Sequence, residues 1–212
     1  MKSWQKKLIK IVSPYLRIIG PEHEIDHSER VFKYCLIFSK DYRKVDQGAL
    51  FAAAYLHDFG YLKKQKGGIN HGQFALSDVV LILKKAEAPK EKIALIKQII
   101  KFHDTDKDLS KRKLPIEILI FHDADKMDGS GAMGVARQLV YTGRVGRKIW
   151  NPKIRRNSSL PYGGNFSAIH SILDYHLQHR FYTKIAKKIV GRRKKYMRSF
   201  VKNFFKEWNL KK

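Results

Sequence analysis

Residues 49–60 of this chain, ALFAAAYLHDFG, decide which fold the sequence predicts. The apolar, Ala-rich run is typical of a short buried helix over residues 49–59, and Gly60 stands where the residue after a helix end is expected. His57 lies on the apolar face of that helix, so we expect its imidazole to point into the protein. Asp58 follows directly and places a carboxylate beside this imidazole.

Two other predicted helices also direct a polar residue toward the interior. His27 shares a helical face with Val31 and Phe38, and Asp125 continues the apolar spacing that starts at Ile118. Buried imidazoles and carboxylates are costly without partners, and one divalent cation would satisfy them together. Mixed ligands of this kind suit Mn²⁺, Fe²⁺, Zn²⁺ or Mg²⁺, and Ni²⁺ and Co²⁺ stay open as well.

The composition is that of a folded and strongly basic chain. Its 212 residues include 44 Lys or Arg and 19 Asp or Glu, which gives a formal net charge of +25. A hydrophobic content of 43% is enough for a core and excludes a disordered chain, and the single cysteine excludes a disulfide scaffold. The positive field favours phosphorylated small molecules, nucleic acid or anionic membrane surfaces as partners, and it argues against a cationic substrate.

Helical spacing of apolar residues continues through the chain, and no alternating strand pattern is present, so we predict an all-α fold. We expect one domain over residues 1–212. The predicted helices cover residues 22–40, 49–59, 74–86, 89–103, 115–128, 167–182 and 184–208. No apolar run approaches the roughly 20 residues of a membrane span. One thiol and no export signal predict a cytoplasmic protein.

Three segments are open to more than one interpretation. Residues 144–165 form a basic loop with five Gly or Pro residues, a length typical of a lid, a binding loop or disorder. An N-terminal stripe is predicted at Trp4, Leu8, Ile11, Tyr15 and Ile18. A C-terminal stripe is predicted at Ile185, Ile189, Tyr196, Phe200, Phe204 and Trp208. We favour core packing with a solvated basic face for the C-terminal helix, with nucleic-acid or membrane binding as the alternatives.

Three motifs in this order resemble the HD-domain superfamily of helical, metal-dependent phosphohydrolases. They are HSERV at 27–31, AYLHDFG at 54–60 and FHDADKMDG at 121–129. A lone His-Asp pair is a weak signal, whereas the ordered set at these spacings is specific. The segments at 70–80, 97–104, 131–147 and 192–208 extend the resemblance to a branch of bacterial HD hydrolases. Some members of that branch cleave pyrophosphate from nucleoside triphosphates.

The resemblance implies four metal ligands, which are His27, His57, Asp58 and Asp125. Asp123 is the alternative distal ligand, but the family pattern of Ala-Asp followed by a basic residue aligns better on Asp125. The resemblance also implies that Asp58 orients or deprotonates the attacking water. His71 and His103 stand where two-metal members carry extra histidines, and either of them could instead contact the substrate, so we treat both as catalytic candidates.

Fixed cations are expected around the substrate, because negative charge builds on the phosphoryl oxygens in the transition state. The predicted substrate-binding residues are Arg30, Lys63, Lys126, Arg137, Arg144 and Arg147. For Arg144 and Arg147, an exposed surface charge is an equally good interpretation. Tyr61 stands where some HD nucleotidases have an acidic residue one turn after the His-Asp pair, which argues against that general-acid role here.

The sequence thus predicts a metal-dependent phosphohydrolase acting on nucleotides or other small phosphorylated molecules. Hydrolysis of nucleoside triphosphates to pyrophosphate is the leading specific reaction. The alternatives are a phosphodiesterase on oligonucleotides or cyclic nucleotides, and a non-catalytic HD-fold module that binds nucleic acid. The intact set of candidate ligands argues against the module, because buried ligands without an ion would destabilise the fold.

Overall fold

A computed structural model describes residues 1–62, 75–105, 107–154 and 166–210. Within these ranges the chain forms nine α-helices and no strand, which confirms the all-α prediction. The helices are α1 (Ser3–Ile19), α2 (Ile25–Phe38), α3 (Gln47–Leu56), α4 (Leu76–Lys85), α5 (Lys90–Phe102), α6 (Ile116–Asp128), α7 (Gly131–Arg144), α8 (Ala168–Asp174) and α9 (Lys184–Trp208). None of the described helices combines the length and the apolar character needed to cross a bilayer.

Helix α3 lies at the centre of the main core, between α2, α5 and α6. Every residue from position 49 to position 56 is buried. Small alanine side chains let neighbouring helices approach α3 from all sides. The residues that follow α3 are therefore delivered to the interior of the protein.

The end of α3 differs from the prediction of one helix over residues 49–59. The α-helix stops at Leu56, and a 3₁₀-helix continues over His57–Leu62. Gly60 lies inside this 3₁₀-helix and lacks the positive φ of a helix-ending glycine. The metal-ligand candidates of this segment therefore lie on a tightly wound turn.

Helix α1 packs through a stripe that differs from the predicted one. Tyr15 and Ile18 are 47% and 74% exposed. The buried residues of α1 are Trp4, Leu8, Val12, Leu16 and Ile19. Both patterns fit a helical period, so the choice between them depends on the neighbouring helices, which the sequence of α1 does not contain.

The predicted stripe of α9 is partly confirmed, since four of its residues are partly buried against the cores, namely Ile185, Ile189, Phe200 and Phe204, but the centre of the packing face lies one residue further along. Its buried residues are Ala186, Val190, Met197 and Val201, whereas Tyr196 is 49% exposed. The N-terminal part of α9 packs on the main core, and its middle packs with α7 and α8 in a second, smaller core. The two packing clusters therefore share this helix.

The prediction of one helix over residues 167–182, the segment before α9, is wrong. Helix α8 ends at Asp174, and only a short 3₁₀ turn at His176–Gln178 follows. The chain then runs without helix to Thr183, and α9 begins at Lys184. This non-helical approach lets the backbone N–H groups of residues 182 and 183 reach Asp123 on α6.

Candidate metal centre

Four side chains from three separate elements converge on one buried point. His27 comes from α2, His57 and Asp58 from the 3₁₀ turn after α3, and Asp125 from α6. The two histidine Nε2 atoms lie 3.2 Å apart, and His57 Nε2 lies 3.2 Å from Asp58 Oδ2. Asp125 Oδ1 lies 3.7 Å from each Nε2. We call these four residues the ligand cluster.

The second ring nitrogen of each histidine fixes the position of its proton. His57 Nδ1 lies 3.1 Å from the backbone oxygen of Ala54, which can only accept, so Nδ1 donates. His27 Nδ1 donates to Asp128 Oδ2 over 2.8 Å. The lone pairs of the neutral rings are then on the two Nε2 atoms, which face each other. Such an electron-rich cluster favours a cation at its centre.

The pKa shifts agree with a site that attracts positive charge. Burial and Arg137 lower the pKa of His27, but hydrogen bonds that protonated His27 donates to Asp128 and Asp58 outweigh them and raise it above its usual value. Burial raises the pKa of Asp58, yet the nearby histidines hold it well below the normal range. Asp125 behaves in the same way, because the charges around it outweigh its burial. Both carboxylates are therefore ionised at neutral pH.

The spacing of the donor atoms fits one divalent cation. Ligand atoms about 2.0–2.2 Å from a common ion lie about 3–3.5 Å from each other. The spacings among His27, His57 and Asp58 are 3.2–3.5 Å and match this requirement, and Asp125 Oδ1 lies slightly farther away, at 3.7 Å from each Nε2. Two imidazoles and two carboxylates also form a donor set that several divalent metals accept.

His103, predicted as catalytic, lies beside the ligand cluster. Its ring centroid is 5.1 Å from that of His57, and it offers a ligand atom within 4.8 Å of those of His57 and Asp58. Its Nδ1 donates to the backbone oxygen of Ile100 over 2.7 Å, so the lone pair of the neutral ring is on Nε2. His71 and Lys63 lie outside the described residues.

His23 belongs to the site, and the sequence reasoning missed it. It lies in a 3₁₀ turn before α2, which begins at Ile25 and not at residue 22 as predicted. Its Nδ1 lies 2.7 Å from Asp58 Oδ2, and its ring packs against Tyr61 at 4.7 Å. The spacing of four residues between His23 and His27 was the available signal.

Asp128 is a second residue of the site that the sequence reasoning missed. Arg30 donates to both of its carboxylate oxygens, at 2.8 and 3.1 Å, and Arg137 donates to Oδ2 at 3.0 Å. Together with the bond to His27, these contacts hold the pKa of Asp128 far below its usual range despite burial. Arg30 and Arg137, predicted to bind substrate, therefore lie behind His27, on the side away from its Nε2.

Of the other predicted substrate-binding cations, Arg144 and Arg147 contact side chains of the protein, whereas Lys126 lies at the candidate metal centre. Arg144 pairs with buried Glu22, its Nε donating to Oε1 over 2.9 Å, and so anchors the turn that carries His23. Arg147 lies 5.7 Å from the ring centroid of Tyr141. Buried Lys126 lies at the site, with its Nζ 3.1 Å from Asp125 Oδ2.

The two aspartates that the sequence left as alternatives face different neighbours. Asp123 is fully buried and accepts backbone hydrogen bonds of 2.9 and 3.0 Å from Tyr182 and 2.6 Å from Thr183. Asp125 lies next to His27 and His57, the candidate ligand histidines. The geometry therefore gives Asp123 a structural contact at the start of α9 and leaves Asp125 as the candidate ligand.

The fold and this site define an all-α protein with a buried His/Asp cluster that could hold a divalent metal ion. The family model for the HD domain matches residues 25–130, half of the chain, and this range contains all four residues of the ligand cluster. The chain belongs to the HD-domain family, and it is a metal-dependent phosphohydrolase.

Solved structures of similar proteins share the whole fold. A protein from Lactobacillus plantarum is 26% identical over 99% of both chains, with a TM-score of 0.79. An HD-superfamily hydrolase from Bacillus thuringiensis is 25% identical, covers 97% of this chain and 96% of its own, and has a TM-score of 0.68. Bacillus subtilis YpgQ in complex with ADP is 19% identical over 96% of both chains, with a TM-score of 0.68. No curated protein matches this chain.

Proposed function

We propose that this enzyme hydrolyses phosphoanhydride bonds of nucleotides, with release of pyrophosphate from nucleoside triphosphates as the leading reaction. The observation that carries the proposal is the convergence of the His27 and His57 Nε2 atoms with the ionised carboxylates of Asp58 and Asp125. The ADP bound to YpgQ supports a nucleotide substrate, because that protein has the same fold. The sequence resemblance to bacterial HD hydrolases points to the same substrate class.

The ligand cluster would hold a divalent ion, which lowers the pKa of a bound water and polarises a phosphoryl oxygen. Asp58 is fixed by His23 at 2.7 Å and by the two ligand histidines. Because the pKa of Asp58 lies well below its usual range, this carboxylate is a poor proton acceptor near neutral pH. We therefore assign Asp58 to orienting the attacking water.

His103 and Lys126 complete the proposed machinery. The Nε2 lone pair of His103 can accept a hydrogen bond from water or substrate next to the ligand cluster. Lys126 is a buried cation whose pKa is raised, because nearby anionic groups outweigh its burial. We assign it to stabilising negative charge on the phosphoryl oxygens.

Product analysis with defined metals tests the proposal. Metal-stripped protein is resupplied with Mn²⁺, Mg²⁺, Ni²⁺, Co²⁺ or Zn²⁺ and given a panel of nucleoside triphosphates, diphosphates, cyclic nucleotides and oligonucleotides. We expect metal-dependent release of pyrophosphate from triphosphates, and loss of that release in His57→Ala. Release of phosphate alone, or turnover of cyclic nucleotides or oligonucleotides in place of triphosphates, would contradict the proposed reaction while leaving the hydrolase class intact.

A further inference from the structure

Helix α9 combines a fully packed inner face with an unusual concentration of charge. Its 25 residues include ten Lys or Arg and one Glu. Two of the cations have structural contacts, since Arg193 donates to Met127 O over 2.8 Å and Lys194 donates to His179 O over 2.8 Å. The other eight are exposed, and they are Lys184, Lys187, Lys188, Arg192, Lys195, Arg198, Lys202 and Lys206.

These eight cations, which we call the α9 basic face, cover the side of the helix opposite its buried residues. At 100° per residue, Lys184, Lys195 and Lys202 form a central row. The remaining five divide into a row on each side of it, with Lys187 and Arg198 on one side and Lys188, Arg192 and Lys206 on the other. The face extends about 33 Å from Lys184 to Lys206 at 1.5 Å per residue. None of the eight forms a salt bridge with another described residue.

The position of the apolar residues decides between the possible anionic partners. A helix that binds a membrane surface inserts an apolar face next to its cations. In α9 that face is already buried against the protein, by Ala186, Val190, Met197 and Val201. Tyr196 and Trp208, the exposed aromatic residues of α9, lie more than about 100° from the central row on the helical wheel. The α9 basic face therefore suits a partner that offers phosphates without a hydrophobic layer.

We propose that the α9 basic face binds duplex DNA through its phosphate backbone, without sequence preference. The major groove of B-form DNA is about 12 Å wide and accepts an α-helix, whereas the major groove of duplex RNA is deep and narrow. A helix with a central row of cations and a row on each side can contact the phosphates of both strands along such a groove. This binding is independent of the hydrolytic site, so either proposal can fail without the other.

Fluorescence anisotropy with a labelled 24-base-pair DNA duplex tests this proposal on the full chain. The test variant carries Lys188→Glu, Lys195→Glu and Lys202→Glu. The matched control carries Lys90→Glu, Lys97→Glu and Lys101→Glu, three exposed lysines of α5, so that both variants change the net charge equally.

We expect the α9 variant to weaken DNA binding at least ~10-fold more than the α5 variant does. Removing one lysine that binds a phosphate reduces the steepness of log K against log salt by about 0.9, so the slope should become shallower by about 2–3 in the α9 variant only. Thermal unfolding verifies that both variants are folded. If the glutamate variant does not fold, Lys→Gln at the same three positions replaces it.

Four results would overturn the proposal. Equal weakening by the α9 and α5 variants would show that net charge and not the α9 basic face binds DNA. Absence of DNA binding by the unmodified protein at 0.1 M salt would also refute the proposal. Tighter binding of an RNA duplex of equal length would exclude the B-form groove as the preferred partner. Binding to phosphatidylserine vesicles without binding to DNA would identify a membrane surface in its place.

Discussion

Two neighbouring groups of buried polar side chains use the same residue types in opposite ways. In the group around Asp128, both carboxylate oxygens accept hydrogen bonds from N–H donors of Arg30, Arg137 and His27. In the ligand cluster, the Nε2 atoms of His27 and His57 face each other and two ionised carboxylates. Burial is common to both groups, and only the direction of the lone pairs separates them. A functional site is therefore recognised by the point at which lone pairs converge, not by which polar residues are buried.

The largest expected effect comes from Asp125→Asn in the ligand cluster. The change removes the charge of a proposed ligand, so we expect the hydrolysis rate to fall at least ~100-fold, beyond the range typical of residues that only orient a ligand. The metal-free protein should also lose stability, because the substitution leaves buried Lys126 without its charged partner and removes a carboxylate whose pKa is held well below its usual range. Steady-state kinetics and thermal unfolding in EDTA measure the two quantities.

Asp123→Asn is the matched control, two residues away on the same helix. Asp123 accepts backbone hydrogen bonds and lies away from the ligand cluster, so its substitution should cost about 1.5–3 kcal/mol of stability and leave metal affinity unchanged. Loss of metal affinity in Asp123→Asn, with retained affinity in Asp125→Asn, would reverse our assignment of the two residues.

The second-largest effect is expected from Asp128→Asn, in the group around Asp128 where both carboxylate oxygens accept hydrogen bonds. This substitution leaves Arg30 and Arg137 without their buried partner, which should cost about 3–5 kcal/mol of unfolding free energy. Metal affinity should also fall by about 10–100-fold, because the change weakens the bond that orients His27. Denaturant unfolding and calorimetric titration with Mn²⁺ test both parts. A loss of affinity without a loss of stability would contradict the proposed difference between the two groups.

Metal binding should stabilise the protein through the ligand cluster. At a free metal concentration of about 100 times the dissociation constant, linkage gives about 2.7 kcal/mol of added stability. We therefore expect EDTA to lower the unfolding temperature of the metal-loaded protein. In His57→Ala the unfolding temperature should be the same with and without metal. A metal-dependent shift that persists in His57→Ala would place the ion elsewhere.

The smallest effect is expected at the N-terminal end of α3, where a carboxylate accepts hydrogen bonds from protein donors, as the carboxylate of Asp128 does. Asp46 accepts from the backbone N–H of Ala49 over 2.9 Å and from Lys92 over 2.6 Å. Asp46→Ala should cost about 1 kcal/mol of unfolding free energy and leave hydrolysis unchanged.

The stability difference between the unmodified protein and Asp46→Ala should depend on pH. Burial raises the pKa of Asp46, but the hydrogen bond from Lys92 and the helix N–H groups outweigh it and lower the pKa below its usual value. The carboxylate therefore stabilises the fold above about pH 4, and this contribution disappears as the pH falls further. Denaturant unfolding at pH 7 and pH 3 measures the difference, and an equal cost at both values would exclude the carboxylate as its source.

Periodicity predicted most of the helices because apolar spacing is a local property of the chain. It also predicted that His27, His57 and Asp125 face the interior, since each of them shares a face with apolar residues. The predicted stripes of α1 and α9 were only partly correct, and their centres were misplaced by about one residue, because a helix permits several faces and its neighbours determine which one is buried. The end of α8 at Asp174 was missed for the same reason. The non-helical segment that follows donates a hydrogen bond from Tyr182 to Asp123, which is distant in the sequence.

The residues that support the ligand cluster were not predictable from local pattern. His23 reaches Asp58 across 35 positions, and Asp128 reaches His27 across 101 positions. Glu22 and Arg144 pair across 122 positions. Nothing near these residues in the sequence shows their partners, so arginines that support the fold were indistinguishable from arginines that bind phosphate.

Helix α6 makes polar contacts on several sides, and this restricts its movement. Glu117 accepts from the backbone N–H of Asp46, Asp123 from the residues before α9, and Asp128 from two arginines. Rotation of α6 about its axis, or sliding along it, would break bonds to all three partners at once. Asp125 is therefore held in position before any ion arrives, and binding requires little further ordering of the chain. We expect a rigid centre and not one that folds around its metal.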